Sequence, residues 1–482
     1  MPKAIHRLSS NVVPYDPIAL FVRAAAQWPD RSALRVGGRT WNYRELDAWS
    51  NAIAERLLAK GAGGERVAFV AKKEAASYAT ILGILKAGCA YVPLPSDGPA
   101  ARWSAMLEQA EVRSMVGSSA LDGTDLITAE EGDAAPVQVP IVDAEAYVLF
   151  TSGSTGGPKG VSVSRANVAA YVKHQLQTYD FNEQDRFTQF FALTFDLSVH
   201  DIFLCWSVGA CLCVPQADDL LRAVRFAQDE RITVWFSVPS LAMLMQRVRA
   251  LSKESLPLVR LGFFCGEPMN WSVARAFAAA APHARLVDLY GPTEATIAIT
   301  AFEVERDDLE HEGFVPIGRP FAGSAARIVE GELQLSGPQL AAGYVEDQAA
   351  TRRSFITEGG ERWYRTGDLV EQDADGVLHF KGRLDDQVKI MGHRVEPAEV
   401  DAVLGPLVGD AHVITLPQRQ GDAVRLFTFI TGSADHNALM HELRRSLPAY
   451  MIPERIIPVE HFPMTAHGKL DRKALLALID HG

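Results

Sequence analysis

The chain has 482 residues, more than one hydrophobic core supports, so at least two domains are expected. With 48% hydrophobic and 22% charged residues it has the composition of a globular enzyme, and its longest apolar stretch, 79–95, is broken by Lys86, short of the roughly 20 residues a membrane span needs. A formal net charge of −12 argues against nucleic acid as a main partner, because phosphate backbones are held by dense Lys and Arg.

Residues 1–17 lack a basic run followed by an apolar core, so no secretion signal is predicted and a cytoplasmic location is expected. Residues 41–60 carry Leu46, Trp49, Ile53 and Leu57 at three-to-four spacing, an amphipathic helix that Gly61 can end. A buried strand is predicted at 67–71, a helix through Leu85, and further strands at 91–94, 147–150, 233–238, 260–264 and 285–290, with helices between them. That alternation predicts layered α/β packing with much parallel sheet. After residue 316 the pattern turns to short strands broken by glycine, as at 326–329 and 332–336, and a small β-rich subdomain is expected there. A boundary is read near 382–386, followed by a smaller α+β segment. Five cysteines form no regular framework. Cys211 and Cys213 alternate with Leu212 and Val214, which reads as a half-buried strand rather than a metal pair.

The most informative stretch is TSGSTGGPKG at 151–160, directly after an apolar strand. Its glycines let backbone N–H groups approach an oligoanion, and Thr151, Ser152, Ser154, Thr155 and Lys159 add side-chain donors around Gly153 and Gly156. It is not a Walker loop, since no Gly-Lys-Ser/Thr closes it and Pro158 precedes Lys159. A flexible linker is the competing reading, but linkers seldom join two apolar segments.

With AYVLFTSGSTGGPKG, the chain resembles the adenylate-forming superfamily of acyl-CoA synthetases, luciferases and the adenylation domains of nonribosomal peptide synthesis. Seven further motifs follow in that family's order: LKAGCAYVPL (85–94), FDLS (195–198), YGPTEAT (290–296), GELQLSG (331–337), YRTGDL (364–369), GRLDDQVKIMGHR (382–394) and HGKLDR (467–472). The resemblance implies a large N-terminal α/β core, 1–384, and a small mobile C-terminal domain, 385–482, turning about a hinge at Asp385. It implies ATP and Mg²⁺, activation of a carboxylic acid as an acyl-adenylate, and transfer of the acyl group to a thiol. Residue by residue, it implies that Tyr290 stacks on adenine beside Gly291, that Thr293 meets the α-phosphate and that Glu294 holds Mg²⁺. Asp368 would take the ribose hydroxyls with help from Arg383, and Lys469 would bridge carboxylate and α-phosphate. In the transfer state Lys389 and Gly392 would face the thiol tunnel. Taken alone, Tyr290 could be core, Asp368 a turn residue and Lys469 a surface lysine.

In relatives that activate amino acids, an aspartate at the position of Asp196 binds the substrate ammonium. A helix-capping Asp is the alternative. The aligned pocket positions are Phe195, Leu197, His200, Ser240, Phe263, Cys265, Gly266, Leu289, Ile297 and Ala298. Their bulk predicts a small cavity, and FDLSV and FFCGE are similar to D-alanyl carrier-protein ligases, so alanine, glycine or serine is expected. Asp288, Ala342, Met391 and His467 depart from the usual residues, and Asp288 adds negative charge near the site. No segment resembles a carrier domain, so a separate phosphopantetheinyl carrier protein is the expected acceptor. An acyl- or aryl-CoA ligase using free coenzyme A, and a catalytically silent nucleotide-binding regulator, are the competing readings.

Overall fold

The protein is seen as a computed structural model, which describes residues 15–137, 144–153, 157–409, 411–420, 423–432, 435–464 and 470–481. The chain forms two compact units: residues 1–96, 109–149 and 161–381, and residues 97–108, 150–160 and 382–482.

The first unit is built on a nine-stranded and a seven-stranded sheet, both largely parallel, and a five-stranded antiparallel one. In the nine-stranded sheet, Val234–Ser237, Leu261–Phe264 and Arg285–Tyr290 run side by side in parallel. The first two are buried at every position, the pattern of parallel strands covered on both faces. The seven-stranded sheet includes Arg66–Ala71, Ala90–Pro95 and Glu145–Thr151. Ala325–Val329, Glu332–Ser336 and Glu361–Gln372 belong to the antiparallel sheet, where glycine-punctuated strands were expected.

The helix predicted at 41–60 is Tyr43–Ala59, opened by an Asn42/Glu45 capping box. It closes through Gly61 at φ 76°, whose N–H bonds the Leu58 carbonyl while that of Ala62 bonds Leu57. Lys86, which interrupts the apolar stretch in sequence, is buried, and its ammonium joins two helices by bonding Asp47 Oδ1 at 2.6 Å, Ser50 and Asn51. Burial lowers its pKa to about 8 against the pull of Asp47. Among the described residues no helix is long and apolar enough to cross a membrane.

One expectation needs correction. Cys211–Val214 is a strand, but it is buried on both faces, not half-buried. Leu212 and Val214 pack into one hydrophobic cluster and Cys211 and Cys213 into another, so neither face reaches solvent.

In the second unit, Val413–Gln420, Ala423–Thr431 and Arg455–Val459 form a three-stranded sheet. Leu404, Leu426, Leu439, Leu443 and Met451 fill a core shared with the helices Pro397–Leu404 and His436–Ser446. A two-stranded hairpin, Val388–Ile390 with His393–Val395, turns at Met391 and Gly392.

Candidate active site

Tyr290 ends the strand Arg285–Tyr290, and its hydroxyl donates a 2.5 Å hydrogen bond to Asp368 Oδ2. Two motifs 78 residues apart therefore meet at one point. Asp368 is buried in Glu361–Gln372, and its N–H is held by Thr366 Oγ1.

After Tyr290 the backbone doubles back tightly. A Cβ on Gly291 would lie 2.5 Å from Ala298 Cα, so only glycine fits. Thr293–Ala295 forms a 3-10 turn, and Thr296 and Ile297 follow at φ 53° and 75°. Two consecutive β-branched residues in the left-handed region are strained and persist only where the surroundings over-determine them. Here the surroundings are Gln339, buried and unnoticed in the sequence. Its Nε2 donates to the Ala298 carbonyl at 2.6 Å and that of Thr296 at 3.1 Å, while Thr296 Oγ1 donates to the Gln339 carbonyl at 2.6 Å. The turn delivers Glu294, fully buried, whose Oε1 accepts from the Tyr344 hydroxyl at 2.7 Å. One carboxylate among oxygen donors fits Mg²⁺, which takes its remaining ligands from phosphates and water.

In the glycine-rich loop, Thr151 closes the strand Glu145–Thr151. A Cβ on Gly153 would stand 2.1 Å from the Gly157 carbonyl, which again demands glycine. Ser152 is buried, and its hydroxyl donates to the Arg394 carbonyl at 2.6 Å. Lys159 opens the next strand. Ser154, Thr155 and Gly156 lie outside the described residues, as does Lys469.

Arg383 grips both carboxylate oxygens of Asp385, at 2.7 and 2.9 Å. Burial pushes the Asp385 carboxyl up, but the guanidinium outweighs it and holds the group below its ordinary value. Lys389 is exposed, and Gly392 takes φ 81° in the hairpin turn.

Of the predicted acyl-pocket residues, Leu197 and His200 lie on the helix Leu197–Ser207. Asp196 occupies the N-cap position, yet its side chain makes no capping hydrogen bond. It is buried, and its charge adds to burial in raising the phenols of Tyr91 and Tyr147. One turn on, His200 is fully buried, packed on Phe236 at 4.2 Å and Phe263 at 5.2 Å between ring centres, with Nδ1 2.6 Å from the Tyr171 hydroxyl. Burial lowers its pKa to about 3, so the ring is neutral at pH 7. Leu197, Phe263, Cys265, Leu289, Ile297 and Ala298 share one apolar cluster. Gly266, at φ 97°, leaves Leu197 and Val238 the room a side chain would take. Ser240, near the start of Pro239–Arg247, presents its N–H to Glu267 Oε2 at 3.0 Å, and Phe195 is partly buried against the core.

Sequence reasoning missed Lys73. Its ammonium donates to the carbonyls of Gln189 and Phe190 at 3.2 and 2.6 Å, pinning the root of the segment that carries Phe195 and Asp196. Burial lowers its pKa to about 8, opposed by the charge of Asp201. No local signal marks such a residue, because its partners are main-chain groups more than a hundred positions away.

The profile of the AMP-binding enzyme family matches residues 21–345. The chain belongs to that family. Surfactin synthase subunit 2 of Bacillus subtilis (strain 168) is 33% identical over 95% of this chain, which spans 14% of that protein's length. The Vibrio cholerae adenylation domain AlmE, solved with glycyl-adenosine-5'-phosphate, superposes with a TM-score of 0.87 at 28% identity, covering 100% of both chains. Holo-PA1221, a protein of nonribosomal peptide synthesis containing adenylation and PCP domains, superposes with a TM-score of 0.83 at 28% identity over 97% of this chain and 85% of that one. This AMP-binding enzyme thus has the fold of adenylation domains, and the adenylate-forming resemblance in its motifs is borne out.

Proposed function

We propose that this AMP-binding enzyme activates a small amino acid as aminoacyl-AMP and passes the aminoacyl group to the phosphopantetheine thiol of a separate carrier protein. A carboxylate is a poor acyl donor. Attack of its oxygen on the α-phosphorus of ATP forms a new P–O bond, breaks the bond to the β-phosphate oxygen and expels pyrophosphate, leaving a mixed anhydride that a thiol can attack. Two anions must be brought together, so the protein's contribution is positioning and charge stabilisation.

The observation that carries this reading is the meeting of Tyr290 with Asp368 beside the strained turn that presents Glu294. In that frame Tyr290 and Gly291 flank the adenine, and Asp368 and Arg383 serve the ribose. Thr293 contacts the α-phosphate. The residues Thr151, Ser152, Gly153, Ser154, Thr155, Gly156 and Lys159 serve the outer phosphates, and Lys469 serves the forming bond. Glu294 would hold Mg²⁺, which neutralises phosphate charge. For transfer, residues 385–482 would turn about Asp385 and exchange Lys469 for Lys389 and Gly392. ATP as substrate is consistent with a cytoplasmic location.

Two observations favour an amino acid. Asp196 is buried at the start of the helix that carries Leu197 and His200, and an aspartate at this position binds the substrate ammonium in relatives that activate amino acids. AlmE, similar over its whole length, is a protein solved with a glycyl-adenylate. The aromatic wall of His200, Phe236 and Phe263 supports a small side chain.

The test is trapping of the activated acid with hydroxylamine across the twenty L-amino acids, their D-forms and common β-amino acids. One or a few small amino acids should yield hydroxamate. Fatty or aryl acids alone would point to the CoA-ligase reading, and no product with any acid would favour a silent nucleotide binder. Offering carrier protein and free coenzyme A side by side then decides the acceptor.

A further inference from the structure

Glu294 is held twice by one short segment. Its main-chain carbonyl accepts the N–H of Ala341 at 2.8 Å, and its carboxylate Oε1 accepts the Tyr344 hydroxyl at 2.7 Å. The segment is itself firmly mounted. Gly343–Tyr344 pairs as a strand with Val161 and Ser162, and the Tyr344 N–H donates to Thr351 Oγ1 at 2.9 Å. Arg362 donates to the carbonyls of Ala341 and Ala342, both at 2.7 Å. Its guanidinium lies 4.3 Å over the ring of Phe355, which in turn stands edge-on to the ring of Tyr344. A phenol donating to a carboxylate makes a charge-assisted bond, and a phenol clamped in this way limits how far the acid can turn.

We infer that Tyr344 is a positioning residue for the cation at Glu294: its hydroxyl keeps the carboxylate from swinging, which makes the site selective for a small ion of strict geometry, Mg²⁺, over a larger and more tolerant one, Ca²⁺. The inference rests on the proposed reading of Glu294 as the Mg²⁺ ligand. Mg²⁺ demands near-ideal octahedral geometry, so a carboxylate free to turn costs it affinity, whereas Ca²⁺ accepts roughly six to eight oxygens in flexible arrangements. Partners that orient a ligating group from behind are worth about 10–100-fold in metal affinity. The phenol is neutral, so its loss removes orientation and subtracts no charge from the site.

Calorimetric titration of ATP into the full chain, with either Mg²⁺ or Ca²⁺ in excess and no amino acid present, reads this without turnover. Tyr344→Phe keeps the ring and its packing; it should weaken ATP binding about tenfold with Mg²⁺ and no more than about threefold with Ca²⁺. Arg362→Met leaves the phenol in place but loosens its mount. It should shift the balance between the two cations in the same direction by a smaller factor, and it carries the test if Tyr344→Phe does not fold. Equal weakening with both cations, or none with either, overturns the positioning role while Glu294 keeps its cation. If ATP binds the wild type equally well with Mg²⁺, with Ca²⁺ or with a chelator, and Glu294→Gln changes nothing, the reading of Glu294 falls and the inference with it.

Discussion

Around His200 the neighbours are rings: Tyr171, Phe236 and Phe263 close on an imidazole that never sees water, against a sheet whose strands are buried on both faces. Around Ser152 they are glycines, hydroxyls and main-chain carbonyls, and the decisive contact is one hydrogen bond. The first region can discriminate, because rigid packed walls reject a misfit by volume. The second can change partners, because a hydroxyl bond is cheaply exchanged for another. The proposed reaction needs both kinds of surface, one to choose the acid and one to hold the phosphates.

The largest effect separates the two regions most sharply. Lys469→Ala should lower amino-acid-dependent pyrophosphate exchange by about 10²–10³-fold, the size seen when one charge-stabilising donor is lost, while transfer from a preformed adenylate survives. Equal loss of both steps removes Lys469 from its assigned role. Next, Asp196→Ala should cost about 10²-fold in kcat/KM for the amino acid and leave the KM for ATP unchanged, since a charge-assisted contact to the ammonium is worth about 2–3 kcal/mol. A parallel rise in the KM for ATP would mean that Asp196 shapes the fold and not the pocket.

Gln339→Ala should destabilise the protein by about 2 kcal/mol in urea unfolding, because it strands buried carbonyls and frees the strained Thr296–Ile297 backbone. The accompanying loss of activity should fall on kcat, through Glu294 and Thr293. An effect of similar size, but dependent on pH, belongs to the aromatic region. Folded His200 takes a proton only near pH 3, whereas the unfolded chain takes one at its ordinary 6.5, so unfolding binds a proton between these values. This contribution is complete above pH 6.5 and is lost as the pH falls toward 3. Between pH 7 and pH 5 it amounts to about 2 kcal/mol. His200→Phe should therefore lose less stability than the wild type over that interval in urea titrations at the two pH values, and identical losses would deny the burial effect.

The same contrast explains what could be read from the sequence. The strand 285–290 is found at the predicted residues, and Gly61 ends its helix as the pattern required, since both rest on local rules. Motif order named Tyr290, Asp368 and Glu294. It could not tell that Tyr290 bonds Asp368, or that Gln339 and Tyr344 hold the turn, because those partners are set by how distant loops meet. Cys211 and Cys213 were misjudged for a related reason. Alternation along one strand reports the residue types on each face, but whether both faces are covered depends on what packs above and below the sheet, here two separate hydrophobic clusters. Lys86 shows the limit from the other direction: in sequence it only interrupts an apolar stretch, yet it is buried because Asp47, Ser50 and Asn51 meet it from the neighbouring helix.

The ammonium is the feature that sets the proposed substrate apart from any other carboxylic acid, and pyrophosphate exchange reads its recognition directly. Glycine or alanine should drive exchange of labelled pyrophosphate into ATP, and acetate or propionate, identical but for the amino group, should fall at least about 10²-fold short. Equal exchange with the amino acids and their des-amino counterparts would contradict the assignment of Asp196 and, with it, the amino-acid reading of this enzyme.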